Sequence, residues 1–180
     1  MKLTSPDGSK VLYWDSDPDS FLKDDVFRIL KNLFQENPDT FPLLIIFPLP
    51  DGELQVFPVP FETVDEKIHR LGVVSYLMNI FQANWYIIAS ECWFITRPIE
   101  EDVRPSQCED RKECLLIIKV EKTKSNSSLM FEIIRKENSI KFVETKDLEF
   151  GGGRLCELFT MTPIPEVIIE VNEIMKNVNG

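Results

Sequence analysis

The segment from Glu91 to Ile118, ECWFITRPIEEDVRPSQCEDRKECLLII, gathers three of the chain's four cysteines with carboxylates and arginines between two apolar runs. Three chemistries are open to such residues: thiolate ligation of a metal, attack by a cysteine with a histidine base, and acid–base or anion-binding work by a carboxylate among arginines. A structural zinc site rests on closely spaced C-x2-4-C pairs, whereas fifteen and five residues separate Cys92, Cys108 and Cys114, and His69 is the sole histidine. No metal is assigned. Cys92 and Cys114 instead read as small buried hydrophobes on strand faces. His69 falls at the margin of a helical stripe near Val73, Tyr76 and Ile80, and nothing sets it against a particular thiol. Gly151–Gly153 before Arg154 lacks the spacing and lysine of a phosphate loop and reads as a tight reversal. No cofactor is implied.

Glu91 carries more information. A carboxylate within a strand that is apolar on both faces is costly to bury as an ion, so it must gain a partner or take up a proton. Arg97, Arg104 and Arg111 of the following loop are the expected partners. The favoured reading is a structural ion pair that pins this loop onto the sheet. The competing one is a catalytic or ligand-binding carboxylate, with Arg104 and Arg111 holding an anionic group bidentately. Glu91 is the single catalytic candidate. Trp93, on the same strand face, reads as core, with a pocket wall as its alternative.

The elements that must position these residues follow from periodicity. Asp15–Pro38 opens with a capping residue and a proline suited to a first helical position. Leu22, Val26, Ile29 and Leu33 then recur at helical spacing, so a helix is expected over 18–35. LLIIFPLP and ELQVFPVP flank Asp51-Gly52, a hairpin signal, and the prolines at 48, 58 and 60 suit short or edge strands. Thr63 and Glu66 stand at capping-box spacing. They introduce a helix ending near Gln82 whose expected buried stripe is Val64, Ile68, Leu71, Ser75 and Met78. NWYIIASECWFI is apolar at odd and even positions alike, the mark of an interior strand covered on both sides. Cys114, Leu116, Ile118 and Val120 share one face of the next strand. Two more strands follow as a meander, and a last helix begins at Thr162-Pro163 with Val167, Val171, Ile174 and Val178 on one stripe. The expected order is α-β-β-α-β-β-β-β-α: an α+β fold with a mostly antiparallel sheet and about three helices, in a single domain over 1–180.

At 180 residues and 43% hydrophobic content the chain can bury one core without disulfides. Its net charge of −10 argues against binding a phosphate backbone directly, which needs a basic face. The amino terminus has no apolar signal segment, and no apolar run reaches membrane-spanning length, so a soluble cytoplasmic protein with reduced thiols is expected, with no membrane partner.

The stretch PLPDGELQVFPVPF, the helix after it, IIASECWF and RPSQCEDRKECLLII together resemble a group of uncharacterised small proteins of bacteria and their phages. In that group an apolar strand ends in Ser-Glu-(Ala/Cys)-Trp, here Ser90, Glu91, Cys92 and Trp93. A loop of the type RPS-x-x-x-DR-x-E then leads into the next strand, here Arg104, Pro105, Ser106, Asp110, Arg111 and Glu113. The loop often reads S-E-H-P-D-R-x-E, and this chain lacks that histidine and proline, which leaves Cys108 as a local replacement. The resemblance covers about residues 42–135 and implies no activity.

Glu91, Trp93, Arg104, Ser106, Asp110, Arg111 and Glu113 are therefore the expected ligand- or partner-binding set. The expected function is that of an acidic, non-enzymatic protein that binds a protein partner or a second copy of itself and modulates host machinery, with the resemblance pointing to a phage origin. A ligand binder or enzyme centred on Glu91, and an acidic mimic of nucleic acid, are the alternatives. For the mimic, Asp15, Asp17, Asp19, Asp24 and Asp25 form the densest acidic set.

Overall fold

A computed structural model describes residues 26–36, 41–97, 103–123, 126–136, 139–145 and 154–178. Helix α1 spans Phe27–Glu36, α2 spans Val64–Ile80 and α3 spans Pro165–Val178. The strands are β1 (Leu43–Pro48), β2 (Leu54–Val59), β3 (Trp85–Phe94), β4 (Lys112–Glu121), β5 (Ser127–Lys136) and β6 (Ser139–Thr145). They form one six-stranded sheet in the order β2-β1-β3-β4-β5-β6 with every neighbouring pair antiparallel. The fold is α+β, with three α-helices among the described residues, as the apolar patterning requires.

The β1–β2 hairpin turns at Asp51-Gly52, where Gly52 takes a φ of 84° that an L side chain rarely adopts. Proline lacks the N–H a central ladder needs, and Pro58 lies in β2, the last strand of the sheet on its side. β2 and β3 both pair with β1, one on each flank, so α2 makes the crossover between them. The remaining strands follow as a meander, which keeps the loop between β3 and β4 beside the strands it joins.

Each sheet face has its own helical cover. On one face Ile45, Phe47, Tyr86, Ile88, Leu116, Ile118 and Val120 pack under Leu71, Val74, Leu77 and Met78 of α2, with Val167 and Val171 of α3. Burial of each such side chain contributes about 1.5–3 kcal/mol. A 3-10 segment, Arg154–Thr160, is fixed to this layer by hydrogen bonds. The Tyr86 hydroxyl donates to the Leu155 carbonyl at 2.8 Å and accepts from the Leu158 N–H at 3.3 Å, while Ser75 Oγ donates to the Leu158 carbonyl at 2.7 Å. Burial pushes the Tyr86 phenol above its ordinary pKa.

On the opposite face Val26, Leu30 and Phe34 pack against Leu44, Ile46, Ile87, Ala89, Leu115, Ile117 and Phe131. Phe27 stacks on Phe131 with ring centroids 3.7 Å apart, and Phe34 meets Phe142 edge-on. β3 is thus an interior strand covered on both sides over Trp85–Ala89, its burial falls over Ser90–Trp93, and Phe94 is buried again. Lys119, buried on the α1 face, meets Glu121, so its charge keeps an ionic partner.

Two expectations about the helices change. α2 starts at the Thr63–Glu66 capping box, but Val64 is 70% and Ile68 44% exposed, so the buried stripe begins only at Leu71. Periodicity reports which side chains share a stripe; it does not report where along its length the helix meets the sheet. α3 begins at Pro165 rather than Thr162-Pro163. The expected helical stretch at 18–25, the glycines at 151–153, the acidic set Asp15–Asp25 and the side chains of Ile174 and Val178 lie outside the described residues.

Candidate functional site

Strand pleating decides which of the predicted residues can meet. Glu91 pairs across β4 with Leu115, and Trp93 with Glu113, so Glu91, Trp93 and Glu113 share the α1 face. Leu115 in turn pairs with Phe131, which places Ile133 and Arg135 of β5 on that face as well. Arg135 reaches Glu91 from β5. Its Nε donates to Glu113 Oε2 at 2.6 Å and its Nη2 donates to Glu91 Oε1 at 3.3 Å, with the guanidinium 5.2 Å from the Phe34 ring centre. Burial disfavours this guanidinium's charge, but the hydrogen bond and charge of Glu113 and the charge of Glu91 outweigh it and raise the Arg135 pKa. One planar cation thus bridges two half-buried carboxylates, the arrangement expected of an ion pair that fixes strands in place.

Two of the loop arginines that the sequence offered to Glu91, Arg97 and Arg111, are engaged elsewhere. Arg97 forms a two-pronged pair with Asp110, at 2.8 and 2.9 Å, and its guanidinium holds the Asp110 carboxyl below the usual aspartate range. Arg111 lies over the Trp93 ring, 4.7 Å from its centre, and donates from Nη1 to the Ser106 carbonyl at 2.8 Å. Arg104 contributes its backbone N–H, which donates to Gln107 Oε1 at 3.1 Å at the start of a short 3-10 turn, Pro105–Gln107. The partner that hydrogen-bonds Glu91 here, Arg135, comes from outside that loop, 44 residues away in sequence. The expectation of Trp93 as core is corrected. It is 39% exposed beneath Arg111.

Cys108 is buried at the loop's inner side, and Cys92 and Cys114 face each other directly across β3 and β4 on the α2 face. All four cysteines are free. Among the described residues no group of three or more His, Cys, Asp or Glu side chains is gathered to hold a metal ion. No described helix is long and apolar enough to cross a membrane.

A second region lies between α2 and α3, where a Cβ on Gly72 would lie 3.4 Å from Val167 Cγ2. Residues 65–70, with Ile164 and Glu170, line a cleft of about 660 Å³. Ile68 and Ile164 supply its apolar surface, and Asp65, Glu66 and Glu170 supply carboxylates, with His69 and Arg70 alongside. His69 Nε2 lies 2.7 Å from Glu170 and ties the two helices across the cleft. Glu66 closes the capping box by accepting N–H bonds from Glu62 and Thr63, which hold its carboxyl below the usual glutamate range. The sequence carried a signal here in Val64 and Ile68, apolar residues in the first turns of a capped acidic helix. It read as core, because the same spacing serves a buried stripe.

A scan against protein-family models, a search of curated proteins and a search of solved structures each found no match to this chain.

Proposed function

We propose that this chain is a non-enzymatic binding protein that docks a basic protein partner in the α2–α3 cleft and modulates that partner's activity. The observation that carries the reading is an open concave surface in which exposed Ile68 and Ile164 are rimmed by Asp65, Glu66 and Glu170. Exposed apolar side chains supply desolvation on docking, and the carboxylate rim favours a partner that presents lysines or arginines around an apolar anchor. The net charge of −10 steers the same class of partner over a longer range. A second copy of the chain fits less well, since a two-fold contact would set acidic rims against each other.

The charged cluster around Glu91 fits a structural role. Its Arg135 guanidinium is shared by Glu91 and Glu113, and Arg111 is engaged by the Ser106 carbonyl and the Trp93 ring. The resemblance to small bacterial and phage proteins fits an inhibitor or modulator of host machinery.

The test is affinity capture from lysate of the source cells with quantitative mass spectrometry, run in parallel on the parent chain and the Ile68→Glu, Ile164→Glu double variant. A basic protein recovered by the parent, lost by the variant and rebinding in purified form supports the proposal. Equal recovery of every protein by both chains rejects the cleft as the docking site.

A further inference from the structure

We propose that Cys92 and Cys114 form a redox-active dithiol that closes to a disulfide with a low-molecular-weight disulfide such as oxidised glutathione. The two residues are directly opposed in the antiparallel pairing of β3 and β4, and their sulfur atoms already lie 3.2 Å apart. Bond formation therefore needs a small closing movement with no rearrangement of the strands. The register brings this about by itself. Nine flanking residue pairs, from Trp85↔Glu121 to Phe94↔Lys112, hold the two Cα positions opposite each other. Cys92 is partly exposed, whereas Cys114 is fully buried, which sets the order of events. Reagent reaches Cys92, and Cys114 resolves the adduct.

The chemistry balances as two successive exchanges. The Cys92 thiolate attacks one sulfur of oxidised glutathione, a protein–glutathione disulfide forms, and the first glutathione leaves as thiolate and takes a proton. Cys114 then gives up its proton to solvent and its sulfur attacks the Cys92 sulfur. The mixed disulfide breaks, the Cys92–Cys114 bond forms and the second glutathione departs. Both protein thiols are oxidised, and one glutathione disulfide is reduced to two thiols. Polarity within the pair favours this direction. A hydrogen bond from the Cys114 thiol lowers the Cys92 pKa, while that same hydrogen bond, together with burial, raises the pKa of Cys114.

Closure has a structural consequence specific to this site. The bond would span the loop that carries Arg97, Arg104, Cys108, Asp110 and Arg111, tying its two ends together on the face opposite Glu91 and Trp93. Nothing in this inference depends on the α2–α3 cleft.

The experiment uses the full chain with Cys108→Ala and Cys156→Ala, so that only the pair remains, and the unaltered chain beside it. Each is incubated with oxidised glutathione under native conditions, then alkylated and digested without reduction for mass spectrometry. The expected result is an intramolecular Cys92–Cys114 peptide pair in both proteins, loss of two free thiols, and full recovery of both thiols on adding dithiothreitol. In the Cys114→Ser variant a stable glutathione adduct accumulates on Cys92, and in Cys92→Ser the remaining Cys114 stays unmodified until the protein is unfolded. Circular dichroism on each variant selects those that are folded. If a folded protein gives no linked peptide, or if modification falls on Cys114 at the same rate as on Cys92, the proposal is overturned.

Discussion

The cluster around Glu91 and the cleft between α2 and α3 are both rich in carboxylates, yet they face opposite demands. In the cluster Arg135 lies between Glu91 and Glu113 at hydrogen-bonding distance from each, and the neighbouring arginines are engaged by Asp110, Ser106 and the Trp93 ring. In the cleft the acidic groups stand at the rim of a concave apolar surface, with Ile68 and Ile164 exposed to solvent. The difference lies in the apolar surface beside the charge. Strand register brings Arg135 between Glu91 and Glu113, so the cluster's interactions hold β3, β4 and β5 together. In the cleft Glu170 meets His69 and Glu66 accepts backbone N–H bonds, while Ile68 and Ile164 beside them stay exposed. A cluster of charges in sequence is therefore no guide to function until its partners in space are known.

Substitutions can break this contrast. The largest effect is expected of Ile68→Glu with Ile164→Glu, which places charge on the apolar part of the cleft. Partner affinity should fall about 100-fold or more, as for loss of a hot spot, while the urea midpoint stays near the parent's because both positions are solvent-exposed. Isothermal titration with the captured partner, paired with urea unfolding, measures both sides of this expectation.

Arg135→Ala tests the other region. It leaves Glu91 and Glu113 without their shared cation and removes the contact with Phe34, so it should destabilise the fold by about 1–2 kcal/mol. That is well under the cost of breaking a fully buried pair, because the arginine is 34% exposed. Partner capture should be unchanged, and a loss of capture in the folded variant would move the binding site to the cluster. Arg135→Lys should recover only part of the stability, since an ammonium cannot serve two carboxylates with planar geometry.

Thr63→Ala should cost about 1 kcal/mol by removing the cap of α2, and the frayed first turn would weaken partner binding as well. The same cap gives a pH dependence of defined sign. The folded-state pKa of Glu66 is lowered by N–H donation from Glu62 and Thr63, so its stabilisation is complete above the ordinary glutamate pKa. It is lost as the pH falls through the lowered value. Comparing acid unfolding of the parent with that of Glu66→Gln isolates this contribution. Should the two curves keep a constant offset across that range, the carboxylate is not the titrating group.

The smallest effect is expected of Gly72→Ala. Its new methyl would sit in ordinary contact with Val167 inside α2, so the gain in helix propensity should stabilise the chain by about 0.5–1 kcal/mol and leave the cleft open. A destabilised variant would show that α2 and α3 are packed too closely there to accept a methyl group.

Much of the fold was legible because periodicity reports local geometry directly. The Asp51-Gly52 hairpin, the Thr63–Glu66 cap, the two-faced apolar strand at Trp85–Ala89 and the α+β order all appear in the structure. The site was legible only in its residue types. Glu91 was identified as needing a partner, and it has one, but Arg135 lay outside the loop in which a partner was sought. The direct opposition of Cys92 and Cys114 was equally hidden, since the span between them places no constraint on register.

The sequence by itself determined the elements, the faces of each strand and the acidic charge, because these follow from side-chain spacing along a short stretch of chain. Tertiary structure alone decided that Arg135 bridges Glu91 and Glu113, that Cys92 meets Cys114, and that Ile68 faces a cleft instead of the core. Each of those outcomes depends on strand register or helix separation. Both are settled by how the whole apolar surface packs, and no local run of residues encodes that sum.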